Sequence, residues 1–336
     1  MPTKKPAKIW GMKKTRLLGK EKVNYYHLVS WVATHQSIFE EEEKKIFLEL
    51  MRQQEKFSGV RVLTYCIMPN HFHLLVEVTD CEMLSDDELF ERFSEYYSKE
   101  IMKTIQKEYA DLKESDREAG NKNGITAWRK RYLKRMGSLT HFGQDLKQKF
   151  AKWYNKKENR TGCLWASQFK SVLIEGSESA LLTTAAYIDL NPVRAKLVKD
   201  PKDYLFCGYG ESMSGGTAAR AGICTSSRLA TSDWDNVLAL YQCYLFGDGK
   251  EIDPERIKEV LNSRKKLSLQ EFLNCRVRYF SDGTVIGSKA FVENVFETNR
   301  TFFHENRKTG ARKIKKLNTP LYSFRGLVKE PIRPPD

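Results

Sequence analysis

The chain has no C-x-x-C pair, no H-E-x-x-H, no G-x-x-x-x-G-K phosphate loop and no trusted D-D-E pattern. Each absence closes a class of function. Seven cysteines, an odd number scattered from Cys66 to Cys275, fit neither a disulfide framework nor a zinc knuckle and point to a reducing cytoplasm. Without the phosphate loop there is no P-loop nucleotide chemistry, and without H-E-x-x-H no protease-type zinc helix. No segment approaches the roughly 20 apolar residues of a membrane span. Met1 to Lys20 is basic but lacks the apolar core of a secretory signal. No fixed-period repeat is present. Acidic charge is also in deficit, with 57 Lys and Arg against 43 Asp and Glu and a net charge of +14. That imbalance favours an acidic partner, nucleic acid first, and no membrane. The expectation is a cytoplasmic protein.

What remains is a chain of 336 residues, 40% hydrophobic, long enough for one large domain or two modest ones. Residues 1–23 read as a basic arm (Lys4, Lys5, Lys8, Lys13, Lys14, Arg16, Lys20). Tyr25–Thr34, Val60–Ile67 and Asn70–Val78 are rich in β-branched and aromatic residues and predict strands. Between the first two, Ile46, Phe47, Leu50 and Met51 predict a helix over Ile38–Lys56, capped by Ser37 and stopped at Ser58-Gly59. Strand, helix, strand, strand opens a ferredoxin-like α+β sandwich: an antiparallel sheet with helices on one face. A charged helical insertion follows at about 80–136. It ends in the basic cluster Arg129, Lys130, Arg131, Lys134 and Arg135, interleaved with Trp128 and Tyr132. Such a run is ordinarily a solvated face; with aromatics in a basic chain it suggests nucleic-acid contact. A helix over Ser138–Asn155, a strand ending at Ile174 and a helix over Glu178–Leu190 complete a domain at 24–205, the last helix being stopped by Asn191-Pro192. Gly208–Ser227, rich in Gly, Ser and Ala, reads as a loop or linker. The rest of 206–336 reads as a helical, basic extension, with helices at Thr231–Phe246, Asp253–Leu261, Ser268–Arg276, Gly287–Phe296 and Thr301–Lys308, and a basic run at Arg307–Lys316.

Two short stretches carry chemistry. In Asn70-His71-Phe72-His73, strand alternation puts both imidazoles on one face and Phe72 on the other, so the pair can share one divalent ion. Standing alone, the same triplet is as well read as the solvent face of a half-buried strand. Tyr187 and Asn191 lie four residues apart, on one side of a helix. A tyrosine hydroxyl can act as a covalent nucleophile and an amide oxygen can ligate a hard cation. Taken singly, Tyr187 is also a core tyrosine and Asn191 a helix-terminal residue.

Together, Met68-Pro69-Asn70-His71-Phe72-His73-Leu74-Leu75 and Tyr187-Ile188-Asp189-Leu190-Asn191-Pro192-Val193-Arg194-Ala195 resemble the REP-associated tyrosine transposases of the HUH single-strand endonuclease superfamily. Leu164-Trp165, Phe169-Lys170-Ser171 and Tyr279-Phe280-Ser281-Asp282-Gly283-Thr284-Val285-Ile286-Gly287-Ser288 share the resemblance. It implies an HUH nuclease fold with the His pair on a central strand and Tyr187 on a nearby helix. It implies a transposase: metal-dependent cleavage and strand transfer of single-stranded or hairpin DNA, with a 5′-phosphotyrosine on Tyr187 and a free 3′-hydroxyl. His71, His73 and Asn191 would hold Mg²⁺ or Mn²⁺. The substrate would be repetitive palindromic hairpins with a flanking single-stranded guide. Arg129, Lys130, Arg131, Lys134, Arg135, Lys170 and Arg194 would contact it. Trp10, Trp128 and Trp153 are candidate stacking platforms for bases, and His27 and His35 read as structural. The protein would act as a monomer or homodimer. Two other readings stay open: a non-catalytic, sequence-specific DNA-binding protein that keeps the fold, and a two-His metallohydrolase without a covalent step.

Overall fold

The computed structural model describes residues 17–33, 36–79, 81, 84–229, 233–246, 280–281, 283–314 and 320–324. The basic arm up to Arg16, Trp10, His35 and the helices expected at 253–261 and 268–276 lie outside the described residues.

The fold is α+β, built on one seven-stranded sheet of order β2-β3-β1-β4-β5-β7-β6. Its first half is β1 (Val23–Trp31), α1 (Glu41–Ser58), β2 (Arg61–Met68) and β3 (His71–Thr79). Helix α1 starts at a capping box between Glu40 and Glu43, three residues later than Ser37. Glu41, Glu42 and Glu43 place negative charge at the positive end of its dipole. It ends where Gly59 takes φ 69°, a left-handed conformation that suits glycine. Met68 pairs with His71, so Pro69-Asn70 is the hairpin turn that delivers the His pair to β3. The Pro69 carbonyl accepts from the N–H groups of Ile38 and Phe39, both at 2.9 Å, and pins that turn to the chain leading into α1.

Helices α2 (Asp86–Tyr96), α3 (Lys99–Glu118) and α4 (Asn123–Leu133) form the insertion, with a core of its own around Leu89, Phe93, Trp128 and Tyr132. Helix α5 (Leu139–Lys157) leads to β4 (Lys170–Ile174), antiparallel to β1. Order β2-β3-β1-β4 with α1 and α5 together on one side is the ferredoxin-like arrangement. On that side Phe47 and Met51 of α1 and Leu146 and Phe150 of α5 meet Tyr26, Leu28, Phe72, Leu74 and Val76.

The expectation of helices on one face therefore holds for this pair and fails for the whole chain. The opposite face carries α6 (Glu178–Asp189), the short α7 (Asn191–Arg194), α9 (Thr217–Ser227) and α10 (Trp234–Phe246) over Tyr25, Leu63, Leu75, Val172 and Ile174. Leu181, Leu182 and Ile188 of α6 are fully buried there, each stabilising the layer by about 2 kcal/mol. The C-terminal region is likewise no purely helical extension. It adds β5 (Val285–Gly287), parallel to β4, then α11 (Lys289–Thr298), β6 (Arg312–Lys313) and β7 (Tyr322–Phe324) to the same sheet. Thr301–Lys308 holds only a single 3₁₀ turn, Arg300–Phe302.

Gly208–Ser227 is also not a linker. It forms α8 (Gly208–Met213) and α9, and its small residues permit close approach instead of flexibility. A Cβ on Gly222 would sit 2.2 Å from the Leu63 carbonyl oxygen of β2. Neither backbone can yield without parting α9 from the sheet. Gly222→Ala is expected to cost about 2–3 kcal/mol, read as a lower urea midpoint with an unchanged slope.

Candidate active site

The site forms on the sheet face covered by α6. Register places His71 opposite Trp31, His73 opposite Val29 and His27 opposite Leu75. Alternation turns His27, Trp31, His71 and His73 to the same face, while Phe72 enters the opposite core. The His71 and His73 rings lie 5.0 Å apart, centre to centre, at 77°. Asn70 accepts a hydrogen bond of 2.7 Å from His71 Nδ1, which leaves Nε2 of that ring with a lone pair. His73 is 3% exposed. Burial holds its pKa well below the usual value for histidine, with smaller contributions from His71, His27 and Arg194.

Helix α6 brings Tyr187 onto the same group. Its ring centre is 6.1 Å from that of His73 and 5.9 Å from that of His27. Phe280 stacks on Tyr187 at 4.6 Å and 14°, and the Arg194 guanidinium lies 4.2 Å from the ring centre. The phenol is therefore held between an aromatic plate and a cation, and the residue is 9% exposed. Arg194 also donates to the Tyr187 carbonyl and, at 2.9 Å, to Asn191 Oδ1.

Asn191 stands at the junction of α6 and α7. It opens α7, and its Nδ2 donates to the carbonyls of Ile188 (3.0 Å) and Tyr187 (3.3 Å). With Oδ1 accepting from Arg194, the amide serves the junction between the two helices. Pro192 in the first turn of α7 sets that junction.

Asp189 anchors α6 from below. It is fully buried and accepts from Thr64 Oγ1 at 3.0 Å to each oxygen, from Tyr209 N–H at 3.2 Å and from the Tyr241 hydroxyl. One carboxyl thus ties α6 to β2, α8 and α10. Burial pushes its pKa up to about 7 against the pull of these donors.

Two imidazoles on one face, with an amide close by, suit a divalent ion that takes mixed nitrogen and oxygen ligands. Among the described residues no group of three or more His, Cys, Asp or Glu could hold a metal.

Residues 21–134 match the family model of IS200-like transposases. The IS200-like segment runs from before β1 into the residues after α4 and contains His71 and His73 but not Tyr187. Among solved structures, the chain is similar to one titled "Structure of the REP associates tyrosine transposase bound to a REP hairpin". The identity is 13%, the TM-score 0.35, and the likeness covers 61% of this chain and 87% of that one. A likeness of this size gives no residue of this chain a role. No curated protein matches the chain.

The expected DNA contacts divide. Lys170, at the start of β4, sets its ammonium 4.9 Å from the centre of the Trp31 ring, and Trp31 stacks on His71 at 6.0 Å and 19°. With Arg194, it lines the His and Tyr face. Within the IS200-like segment, Arg129 pairs with Asp86 and Arg131 with Glu108. Arg135, just beyond it, pairs with Asp145. These guanidiniums brace the insertion, while Lys130 and Lys134 are exposed. Trp128 is 3% exposed inside the insertion core, and Trp153 is half-buried against Phe150. Leu164, Trp165 and Phe169 are core residues. No described helix is long and apolar enough to cross a membrane.

Sequence reasoning did not place Trp31, Phe280 or His27 beside the His pair and Tyr187. Trp31 and His27 share the parity of the β1 face, but only the pairing of β1 with β3 shows that this face holds the His pair. Phe280 stands in a stretch that shares the resemblance, with no local signal of where it docks.

Proposed function

We propose that the protein is a transposase that cleaves and rejoins single-stranded DNA, with Tyr187 as nucleophile, on hairpin substrates in the cytoplasm. The observation that supports this best is the meeting of His71, His73 and Tyr187, from segments remote in sequence, on one face of the sheet with ring centres 5.0 and 6.1 Å apart. In the reaction the Tyr187 oxygen attacks the scissile phosphorus. A phosphorus–oxygen bond to tyrosine forms, the bond to the 3′-oxygen breaks, and that oxygen leaves as the 3′-hydroxyl, taking a proton. One phosphodiester replaces another, so rejoining needs no nucleotide. A Mg²⁺ or Mn²⁺ ion held by His71 and His73 would polarise the phosphate and stabilise the charge developing on it. Asn191, through its Oδ1, would be the third ligand. Lys170 and Arg194 would hold the phosphates beside the site and Lys130 and Lys134 those further away.

The test is a labelled DNA hairpin with a single-stranded flank. A denaturant-resistant protein–DNA adduct is expected with Mn²⁺ and none with chelator. His71→Ala and His73→Ala are each expected to lower adduct yield at least about 100-fold and to weaken Mn²⁺ uptake in calorimetry. Hairpin binding that falls steeply with salt but never gives an adduct would instead support a DNA-binding module.

A further inference from the structure

We propose that His27 is a positioning residue for the His pair, holding His73 with its Nε2 lone pair toward the site, and that the Phe280 backbone carbonyl sets its polarity. The inference rests on the reading of His71 and His73 as a metal site and assigns a role that the motifs themselves leave blank. His27 is completely buried, yet both ring nitrogens are engaged. Nδ1 is 2.8 Å from the Phe280 carbonyl oxygen and Nε2 is 2.9 Å from His73 Nδ1. The two imidazoles stack at 5.1 Å and 18°.

The proton positions follow from what each group can do. A carbonyl oxygen only accepts, so His27 Nδ1 carries a proton. One proton fits between His27 Nε2 and His73 Nδ1. Placing it on His27 would make a cation in a fully buried site where, among the described residues, no carboxylate is bonded to either ring and Arg194 is already near. The proton therefore belongs to His73 Nδ1, and His73 Nε2 keeps its lone pair. His71 reaches the same state through Asn70. Both rings then present Nε2 as the donor atom, one oriented by a side-chain amide and the other by a relay that begins at a backbone carbonyl. An outer partner of this kind fixes ring orientation and tautomer in metal-ligating histidines. The relay also couples distant parts of the chain, because the residue that starts it stacks its own ring on Tyr187.

The experiment uses the full chain labelled with ¹⁵N-histidine and three proteins: wild type, His27→Leu and His27→Gln. Leucine can neither accept from His73 nor donate to Phe280. Glutamine can do both, through Oε1 and Nε2. Long-range ¹H–¹⁵N spectra of the metal-free wild type are expected to show His73 as the Nδ1–H tautomer. Calorimetric titration with Mn²⁺ is expected to show binding weakened about 10- to 100-fold in His27→Leu and restored to within a few-fold of wild type in His27→Gln. A wild-type His73 protonated on Nε2, or His27→Leu binding Mn²⁺ as tightly as wild type, overturns the proposal. Should His27→Leu fail to fold, the wild-type tautomer and the His27→Gln titration still decide. A wild type with the expected tautomer that takes up no Mn²⁺ removes the metal reading while leaving the relay in place.

Discussion

Tyr187→Phe will form no covalent DNA adduct, while the folded protein still binds the hairpin to within a few-fold of wild type. The substitution removes one oxygen and leaves the ring in its stack between Phe280 and Arg194, so packing and the helix junction are kept. A nucleophile's contribution is lost outright when its atom is absent, and the expected fall in cleavage is at least about 10³-fold. Mn²⁺ binding should not change, because the histidines are untouched. That separation of binding from chemistry makes the variant informative: it distinguishes a tyrosine that attacks phosphorus from one that only fills the core. An adduct of undiminished yield in denaturing gels would remove Tyr187 from the reaction. Hydrolysis that continues without an adduct in either protein would favour a metallohydrolase.

Asp189→Ala is expected to be the most destabilising single change in the site region. It leaves the hydroxyls of Thr64 and Tyr241 and the Tyr209 N–H without an acceptor in a site closed to water, at a cost of about 3–5 kcal/mol and a fall in Tm of about 10 °C. The pH dependence gives an independent check. Folding raises the Asp189 pKa to about 7, above its unfolded value, because burial opposes the charge. The folded chain then holds this proton over a range where the unfolded chain has released it. The contribution is fully present below about pH 4 and is lost as pH rises through 7, a change of up to about 4 kcal/mol. Asp189→Asn, neutral at every pH, should flatten this slope in urea titrations between pH 5 and 8. A slope identical to wild type would mean that the carboxyl is ionised in the fold throughout.

The N-terminal half of the fold was legible because its elements are long enough to show a period. β1, α1, β2 and β3 each span eight residues or more, and alternation or helical spacing has room to repeat. The C-terminal strands, of two or three residues each, are too short for any periodicity to register. Gly208–Ser227 misled for a different reason. Glycine and serine mark flexible chain when exposed, but here they let α8 and α9 lie against β2, and local composition does not distinguish the two uses. At the site, His71, His73 and Tyr187 stood out only through the resemblance of their two motifs taken together; residue type and spacing alone left each with a plain structural reading. His27 did not stand out, since its part depends on a diagonal neighbour across a strand pair and on a carbonyl that arrives from the far end of the chain. In the basic cluster, the ion-pair partners of Arg129, Arg131 and Arg135 were not legible locally, because Asp86, Glu108 and Asp145 are supplied by other helices.

Strand β5 lies beside β4 in parallel, and Phe280 lies just before it. During synthesis the histidines and the tyrosine leave the ribosome long before that segment does. The nascent chain can assemble the ferredoxin-like half early, yet His27 has no carbonyl to donate to and Tyr187 no stacking partner until translation passes residue 280. A message cut short upstream of that point would yield a protein able to display both motifs and unable to hold them in place.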